Sequence, residues 1–278
     1  MIKDKRILVT GSAGSIGSEL VRQLAPDNKV FMLDISEKAY IIREELRHKG
    51  YWVHSRTGDI RNKATLFDVF SDFKPQIVFH AAALKHVTPN EEYPEEAFET
   101  NLGGTINLVR EAKNWECFEK FVFISTDKVV NSECIMGISK LAAESFVRLQ
   151  GEKFVAVRFG NVIGSSGSVY EIWEEQVKRG DPLTITNPNM ERYFMTIPEA
   201  CELVVRAAEE EASLVVMDMG KRKKILDVAL DFLESKCIKH YKSSEIGERP
   251  GETLIERLMT EDEEKRAIKK GRFYIIKK

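Results

Sequence analysis

The chain has 278 residues, of which 43% are apolar and 31% are charged, and its formal net charge is −2 at pH 7. A chain of this size can bury a substantial core, and its balanced charge does not favour nucleic acid or an anionic membrane as a partner. No apolar run reaches the roughly 20 residues of a membrane-spanning helix, and the cysteines show no metal-ligand spacing, so we expect a cytoplasmic protein without a membrane segment or a bound metal.

Short apolar runs alternate with helical patterns through the first part of the chain. The runs predicted as buried strands are 6–10, 29–34, 51–59, 76–82, 120–126 and 154–162. The predicted helices begin near Ser15 and continue at 39–48, 63–73, 94–115 and 136–149. Buried strands that alternate with helices predict an α/β fold with a parallel, doubly wound Rossmann sheet and right-handed crossovers.

The pattern changes after Asn161, where glycine, serine, asparagine and proline accumulate in 160–168 and 179–193. The next predicted elements are a helix over 198–210, a strand over 213–220 and a helix over 224–234. We predict a dinucleotide-binding domain over 1–163, to which 201–233 returns. A smaller substrate-binding lobe then consists mainly of 164–278.

A glycine-rich turn, VTGSAGSIGSEL, joins the first strand to the first helix. Gly11 permits a tight turn, Gly14 lets the backbone approach a pyrophosphate, and Gly17 allows close helix packing, with the phosphates over the helix N-terminus. Asp34 ends the second strand, where a carboxylate accepts a hydrogen bond from a ribose 2′-hydroxyl and repels a 2′-phosphate. The turn therefore predicts a bound dinucleotide, with NAD slightly preferred over NADP.

Further cofactor contacts are predicted at the ends of the following strands. Asp59 follows the third strand, where it can meet the adenine edge, and small Ala81 and Ala82 leave room after the fourth strand. Lys38 and Arg43 lie close to Asp34 in sequence, so NADP stays an alternative cofactor.

Seven motifs together give the chain its resemblance to a known family. They are VTGSAGSIGSEL, HAAALKHV, FISTDKVVN, MGISK, VRFGNVIGSSGSV, ERYFMTIPEA and ERPGE. With them, almost the whole chain resembles the extended short-chain dehydrogenases/reductases. Within that family it is most similar to the polysaccharide-biosynthesis branch of UDP-N-acetylglucosamine 4,6-dehydratases and related nucleotide-sugar epimerases. The resemblance implies a UDP-sugar substrate, a tightly bound NAD(P) and a homo-oligomer.

The Tyr-xxx-Lys pair of the family appears here as Met136 and Lys140. Methionine cannot exchange protons, so Met136 is expected to pack beside the nicotinamide, while the resemblance leaves Lys140 its role at the nicotinamide ribose. By resemblance, Lys128 removes the C5 proton of the sugar and Asp127 protonates the departing 6-hydroxyl. We expect the pKa of Lys128 to be lowered for this task. The C4-hydroxyl proton is expected to leave through Asp127, Thr126 or a water molecule, with Asp127 as the first choice.

The later motifs supply the contacts expected for the sugar nucleotide. Arg192 and Arg249 offer planar guanidinium groups that suit phosphates, and Glu252 can accept hydrogen bonds from ribose hydroxyls. The full set of predicted substrate contacts is Lys85, Asn161, Val169, Thr184, Arg192, Arg249 and Glu252. The full set of predicted cofactor contacts is Gly11, Ala13, Gly14, Ser15, Ile16, Gly17, Asp34, Asp59, Ile60, Ala81, Ala82, Lys85, Ser125, Met136, Lys140 and Val162.

Three functions stay open at this point. The first is a UDP-N-acetylglucosamine 4,6-dehydratase that inverts C5 through a transient 4-keto intermediate. The second is a UDP-hexose C4 epimerase, which shares every cofactor motif but needs no base at C5. The third is a non-catalytic NAD(P)-binding sensor, which Met136 favours and the retained Asp127, Lys128 and Lys140 disfavour.

Overall fold

The computed structural model describes residues 2–238 and 241–277. The strands are β1 (Arg6–Thr10), β2 (Lys29–Asp34), β3 (Val53–Thr57), β4 (Ile77–His80), β5 (Lys120–Ile124), β6 (Phe154–Arg158), β7 (Asn161–Ile163), β8 (Leu183–Ile185), β9 (Glu191–Arg192), β10 (Phe194–Thr196), β11 (Leu214–Met217), β12 (Lys223–Lys224), β13 (Ser243–Glu245), β14 (Ile268–Lys270) and β15 (Phe273–Ile276). The helices are α1 (Ser15–Leu24), α2 (Lys38–His48), α3 (Lys63–Phe73), α4 (Val87–Glu92), α5 (Pro94–Ala97), α6 (Thr105–Lys113), α7 (Ile135–Arg148), α8 (Val169–Arg179), α9 (Ile197–Ala207), α10 (Ile225–Ser235) and α11 (Glu261–Arg266). A π-helical stretch, Phe98–Gly104, joins α5 to α6, and a 3-10 turn spans Asp127–Val129.

The large sheet has the strand order β14-β15-β11-β6-β5-β4-β1-β2-β3. Its strands from β3 to β11 are parallel, whereas β15 and β14 run antiparallel at one edge. The order reverses between β1 and β4, and open α/β sheets bind ligands outside the carboxyl ends of the strands at such a point. The parallel, doubly wound α/β fold predicted from the sequence is confirmed.

Helices pack on this sheet because their apolar residues recur at helical spacing. The buried positions of α1 are Gly17, Leu20, Val21 and Leu24, which form one stripe along the helix. That stripe joins the main core, and α1 packs beside α9, while α3, α6 and α7 pack against one another. The glycine-rich turn therefore stands at the N-terminal end of a helix that is fixed to the sheet.

The prediction of one continuous strand over 154–162 is wrong. The chain turns at Gly160, where a Cβ atom would lie 2.8 Å from Oδ2 of Asp127 and 3.0 Å from Cβ of Tyr193. After the turn, β7 leaves the large sheet and pairs in parallel with β10. This departure brings Asn161 towards the turn that follows β5.

The helix predicted over 94–115 ends at Lys113 and contains the π-helical stretch. Asn101 lies inside that stretch, where its Oδ1 accepts from the backbone N–H of Leu84 at 2.8 Å and its Nδ2 donates to Oγ of Ser139 at 3.0 Å. A Cβ atom on Gly104 would lie 2.5 Å from Cδ1 of Ile60. The wider turn thus holds the loop after β4 against α7 and accommodates the residue that follows β3.

A second buried cluster lies outside the main core. It is built from α8, β8 and α10, with Trp173 and Phe232 packed at a ring distance of 5.6 Å. The predicted division differs here in two segments: α10 packs in this cluster, whereas β14 and β15 extend the large sheet. The apolar spacing of α10 predicts a helix but not the core that it joins, and β14 and β15 were not predicted. The division into a cofactor domain and a substrate lobe stays a prediction.

Candidate active site

A cavity of about 660 Å³ opens at the carboxyl ends of the parallel strands and extends to the second cluster. The predicted site residues that line it are Ile16, Ala81, Lys85, Ser125, Thr126, Asp127, Lys128, Met136, Lys140, Asn161, Val162, Val169, Thr184, Arg192, Arg249 and Glu252. The predicted residues outside its lining are Gly11, Ala13, Gly14, Ser15, Gly17, Asp34, Asp59, Ile60 and Ala82. A cavity of this size is typical of small-molecule sites.

The glycine-rich turn has the shape that a pyrophosphate requires. Gly11 has φ +67°, and a Cβ atom there would lie 2.5 Å from the backbone nitrogen of Ala82. A Cβ atom on Gly17 would overlap the carbonyl oxygen of Gly11. Gly14 caps α1 without a side-chain hydrogen bond, so the first N–H groups of the helix are left for an anion. The residues present therefore fit a dinucleotide.

Asp34 is held against this turn by two backbone hydrogen bonds. Its Oδ2 accepts from the N–H of Ala13 and its Oδ1 from the N–H of Ser36, both at 2.8 Å. Each carboxylate oxygen can accept a further hydrogen bond, which suits ribose hydroxyls. Of the two cations that favoured NADP, Lys38 is exposed, and Arg43 pairs with Glu44 at 2.8 Å.

Asp59 and Ile60 shape the turn after β3. Both carboxylate oxygens of Asp59 accept from Arg61, one from its backbone N–H and one from Nε, each at 2.8 Å. Burial alone would raise the pKa of Asp59, but these bonds lower it. Ile60 is buried against Gly104, and neither Asp59 nor Ile60 lines the main cavity.

The loop 164–168 crosses from the second lobe to the phosphate turn. Nζ of Lys85 donates to the carbonyl of Ser166 at 2.6 Å, and the N–H of Ser166 donates to Oγ of Ser15 at 2.9 Å. Gly167, with φ +68°, lies against the ring of His86. Burial lowers the pKa of Lys85, and Glu171 opposes that effect. We call residues 164–168 the strap, because they connect the two sides of the cavity.

The turn after β5 holds the charged centre of the cavity. Oγ1 of Thr126 donates to Oδ1 of Asp127 at 3.0 Å. Nζ of Lys128 lies 3.3 Å from the same Asp127 oxygen and 3.4 Å from Oδ1 of Asn161. Asp127 is buried, and its Oδ2 has no hydrogen-bond partner within the described chain. The structure therefore brings the predicted acid and base into contact.

Glu256 completes this cluster, and the sequence analysis missed it. Its Oε1 lies 2.9 Å from Nζ of Lys128 and 3.1 Å from Nε of Arg192, while its Oε2 accepts from Nδ2 of Asn161 at 3.2 Å. The only sequence signal was its place four residues after Glu252 in the ERPGE motif region. That spacing does not show that the chain folds back to the end of β5.

These contacts decide the charges in the cluster. Burial raises the pKa of Asp127 to about 7; Lys128 opposes this rise, and the charge of Glu256 adds to it. Burial disfavours the ammonium form of Lys128, but Asp127 and Glu256 outweigh it and raise the lysine pKa above its ordinary value. Burial alone would also raise the pKa of Glu256, yet Lys128 and Asp127 lower it to about 2. The expected lowering of the Lys128 pKa is therefore wrong for the ligand-free protein.

The lysine with the lowered pKa is Lys140. Burial lowers its pKa to about 7, opposed by Glu144. Its Nζ donates to the carbonyl of Ile124 at 2.6 Å and lies 3.9 Å from the ring centre of Phe123. Met136 lies one helical turn earlier on α7 and is buried at the cavity wall. The pair therefore keeps the spacing of the family motif, with a thioether in place of the phenol.

A buried ion network fixes the segment that carries Glu256. Arg158 on β6 contacts Glu144 at 2.6 Å and Glu263 at 2.7 Å, and it donates to the carbonyl of Leu258 at 3.0 Å. Ser125 donates to Glu144 at 2.5 Å from the other side. Because breaking a buried charged network leaves charges without partners, the network holds the C-terminal segment firmly beside β5.

The predicted substrate residues differ in whether their side chains are free to bind a ligand. The buried guanidinium of Arg192 donates to the carbonyls of Glu191 at 3.0 Å and Leu254 at 3.2 Å in addition to contacting Glu256. Its position therefore supports the charged cluster more directly than it supports a phosphate. Thr184 Oγ1 likewise accepts from Nε2 of Gln176 at 2.8 Å.

Arg249 is more accessible to a ligand. It is exposed at the cavity rim, and its guanidinium forms no ion pair with residues 2–238 or 241–277. Its backbone N–H donates to Oε2 of Glu252 at 3.1 Å, so the two residues lie at one end of the cavity. Val169 begins α8 at the wall.

The described residues contain no group of three or more His, Cys, Asp or Glu side chains that could hold a metal ion. None of the helices within them has the length and apolar character needed to cross a membrane.

A family model described as polysaccharide biosynthesis protein matches residues 7–278. The capsular polysaccharide biosynthesis protein CapD of Staphylococcus aureus is 42% identical over 94% of this chain. The match covers 46% of CapD, so the chain spans about half the length of this relative.

Two solved structures are similar over most of their length. The X-ray structure of Pen from Bacillus thuringiensis has a TM-score of 0.92 and 32% identity, covering 99% of this chain and 88% of that chain. The UDP-glucose 4-epimerase of Thermus thermophilus, in complex with NAD, has a TM-score of 0.79 and 26% identity, covering 91% of this chain and 90% of that chain.

Proposed function

The chain belongs to the polysaccharide biosynthesis protein family, and on that premise we propose that it is a UDP-N-acetylglucosamine 4,6-dehydratase that inverts C5. The observation that carries the proposal is the cluster of Asp127, Lys128 and Glu256 beside the dinucleotide turn. A dehydratase needs an acid and a base beyond the redox site, whereas an epimerase does not. The chain's place in polysaccharide biosynthesis and a homo-oligomeric assembly are part of the same proposal.

NAD is the proposed cofactor, held by the glycine-rich turn and by Asp34. A carboxylate at the ribose disfavours a 2′-phosphate, and the engagement of Arg43 by Glu44 removes one cation that would favour NADP. When bound, NAD would supply the redox chemistry, as acceptor of the C4 hydride and its donor to C6. The other changes are the loss of one proton each from the C4 hydroxyl and C5, the departure of the C6 hydroxyl as water once it is protonated, and the return of a proton to C5.

Asp127 is the proposed proton carrier between C4 and C6. Its pKa of about 7 lets it receive a proton as the C4 hydroxyl is oxidised and later donate it to the departing C6 hydroxyl. Thr126, which donates to Asp127 Oδ1 at 3.0 Å, is placed to relay that proton. Met136 then needs no acid–base role, and packs at the nicotinamide beside Lys140.

Lys128 is the proposed base at C5. At rest it is an ammonium, because two carboxylates hold its proton. Protonation of Asp127 in the first step removes one of these charges, so the pKa of Lys128 falls and the lysine releases its proton to solvent before it takes the C5 proton. A water molecule on the opposite face then returns a proton to C5, which inverts that centre, and Lys128 is left as an ammonium again. The amine and the carboxyl thus act in sequence from neighbouring positions.

The UDP portion is assigned to the far end of the cavity. Arg249 presents an exposed guanidinium for the diphosphate, and Glu252 accepts from ribose hydroxyls. Lys85, Asn161, Val169 and Thr184 complete the proposed wall. Arg192 remains a proposed phosphate contact only if substrate draws it from the carbonyls that hold it now.

Incubation of the purified protein with UDP-N-acetylglucosamine, followed by mass spectrometry and NMR of the product, tests the proposal. Loss of one water with inversion at C5 is expected. An unchanged mass with inverted C4 would mean the C4 epimerase, which the similarity to the Thermus thermophilus epimerase favours. No reaction, with NAD still bound, would favour the non-catalytic sensor.

A further inference from the structure

We propose that Glu256 is a positioning residue that controls how many protons the Asp127–Lys128 pair holds, a role that rests on the proposed function for its part in the reaction. Glu256 acts through its two neighbours and need not touch the sugar. The proposal concerns the protein before substrate binds, so it can be tested without turnover.

The geometry places two buried carboxylates around one ammonium. Oε1 of Glu256 lies 2.9 Å from Nζ of Lys128, and Oδ1 of Asp127 lies 3.3 Å from the same nitrogen. Glu256 has a second cation, Arg192, at 3.1 Å, whereas Lys128 is the cation that Asp127 contacts. Two carboxylates this close to one cation favour retention of a proton between them.

Of the two carboxylates, Asp127 takes up a proton more readily, because its partners are fewer. Glu256 has Lys128, Arg192 and the amide of Asn161 to stabilise its charge. One oxygen of Asp127 has no hydrogen-bond partner in the part of the chain that the structure describes. The pKa of about 7 for Asp127 and about 2 for Glu256 agree with this assignment.

Asp127 and Glu256 are themselves the carboxylates that act most strongly on this balance. The charged groups that act on the pair are Lys128 from its own turn, Glu256 from the C-terminal segment and Arg192 from β9. Lys140 from α7 lines the same cavity, and its Nζ donates to the carbonyl of Ile124. Removal of the Glu256 charge should therefore make Asp127 a stronger acid.

The test is the titration of Asp127 in ligand-free protein, followed by the infrared carbonyl band of its protonated carboxyl. Asp127→Asn identifies the band. Glu256→Gln keeps the shape and an oxygen for Lys128 but removes the charge. We expect it to lower the pH midpoint of the band by about one unit or more. The acid limb of the kcat/KM profile should move in the same direction, because Asp127 must be ionised to receive the C4-hydroxyl proton.

Two further variants make the result decisive. Glu256→Asp keeps the charge and should restore at least part of the wild-type midpoint. Glu261→Gln, which removes an exposed charge paired with Arg257, should leave the band and the profile unchanged. Circular dichroism reports whether each variant is folded. If Glu256→Gln does not fold, Glu256→Asp replaces it as the test, because its shorter side chain weakens the contact with Lys128. A smaller downward shift of the pH midpoint is then expected.

An unchanged or raised midpoint in the folded variant would overturn the proposal. The outcome is independent of the proposed function, because the band titrates without substrate. A protein that never dehydrates UDP-N-acetylglucosamine but shows the downward shift would retain the proton control and lose the dehydratase assignment. An active dehydratase without the shift would retain the dehydratase assignment and lose the proton control.

Discussion

The ammonium nitrogen of Lys128 lies 2.9 Å from Oε1 of Glu256, which is the carboxylate oxygen nearest to that nitrogen in the described residues. This contact joins the turn after β5 to the C-terminal segment and keeps the resting lysine charged. A charged lysine cannot remove a proton from carbon. The proposed base at C5 therefore depends on a change in its surroundings during the reaction, and Asp127 is the group whose protonation provides that change.

Replacement of Lys128 by alanine is expected to abolish dehydration and to stop exchange of the sugar C5 proton with deuterated water. Loss of a general base costs about 10²- to 10⁴-fold in rate. Oxidation at C4 needs no base at C5, so the variant should still reduce part of its bound NAD, which absorbance of the reduced nicotinamide reports.

Lys178→Ala on the exposed side of α8 is the matched control for this variant. It should leave both exchange and dehydration at the wild-type rate. C5 exchange at the wild-type rate in Lys128→Ala would remove Lys128 from the mechanism and leave Asp127 as the base.

The fold and the principal charged pair were predictable because their signals are local. Buried strands are continuous apolar runs, and the turn after β1 carries its glycines at fixed spacing. Asp127 and Lys128 follow directly after an apolar run, so their place at the carboxyl end of a parallel strand follows from the fold class. These predictions required no knowledge of contacts between distant parts of the chain.

Glu256 and the charge of Lys128 were not predictable in this way. The segment 252–258 has no periodicity that separates a buried carboxylate from an exposed one. The direction of the Lys128 pKa depends on the distance to a residue from that segment. The antiparallel β14 and β15 were not predicted for a similar reason, since whether such a short segment forms a strand depends on the sheet edge with which it pairs.

Replacement of Met136 by tyrosine is expected to give a folded enzyme with activity equal to or above that of wild type. Met136 lines the cavity, so the larger ring can extend into open space, and its hydroxyl adds a proton acceptor one helical turn before Lys140. Steady-state kinetics measure the effect. Met136→Leu controls for loss of the sulfur, and a tyrosine variant slower than the leucine variant would contradict the expectation.

Asp127→Asn is expected to change how stability depends on pH. In the folded protein burial raises the pKa of Asp127 to about 7, whereas an aspartate in the unfolded chain has an ordinary pKa of 3.8. Between these values the folded state binds more protons than the unfolded state, so this group makes stability fall as pH rises. Urea unfolding across this window should therefore show a smaller decline for Asp127→Asn than for wild type. Equal declines would mean that Asp127 ionises normally.

Asp34 is expected to determine the preference for NAD. Replacement by alanine removes a charged hydrogen-bond acceptor from the ribose, a loss of about 1.5–3 kcal/mol, or roughly tenfold or more in NAD affinity. Asp34→Asn is the comparison, because an amide oxygen can keep one bond to the turn while the charge is lost. Calorimetric titration with each dinucleotide measures the ratio. A wild-type protein that binds NADP tenfold more tightly than NAD would refute the assignment.

The strap is expected to retain the cofactor between turnovers. In the proposed reaction the hydride removed from the sugar returns to the same sugar, so turnover does not require the cofactor to dissociate. Ser15→Ala deletes the hydrogen bond from the N–H of Ser166 to the phosphate turn. One hydrogen bond contributes about 1 kcal/mol, so release of bound NAD should become roughly fivefold faster. Displacement of labelled NAD by excess unlabelled NAD measures that rate.

Ser18→Ala, on the same helix, deletes a hydroxyl that donates within α1 to the carbonyl of Ser15, and it should release NAD at the wild-type rate. Equal rates for both serine variants would mean that the strap does not hold the cofactor, and accumulation of free NADH in proportion to product would show that the cofactor leaves during turnover.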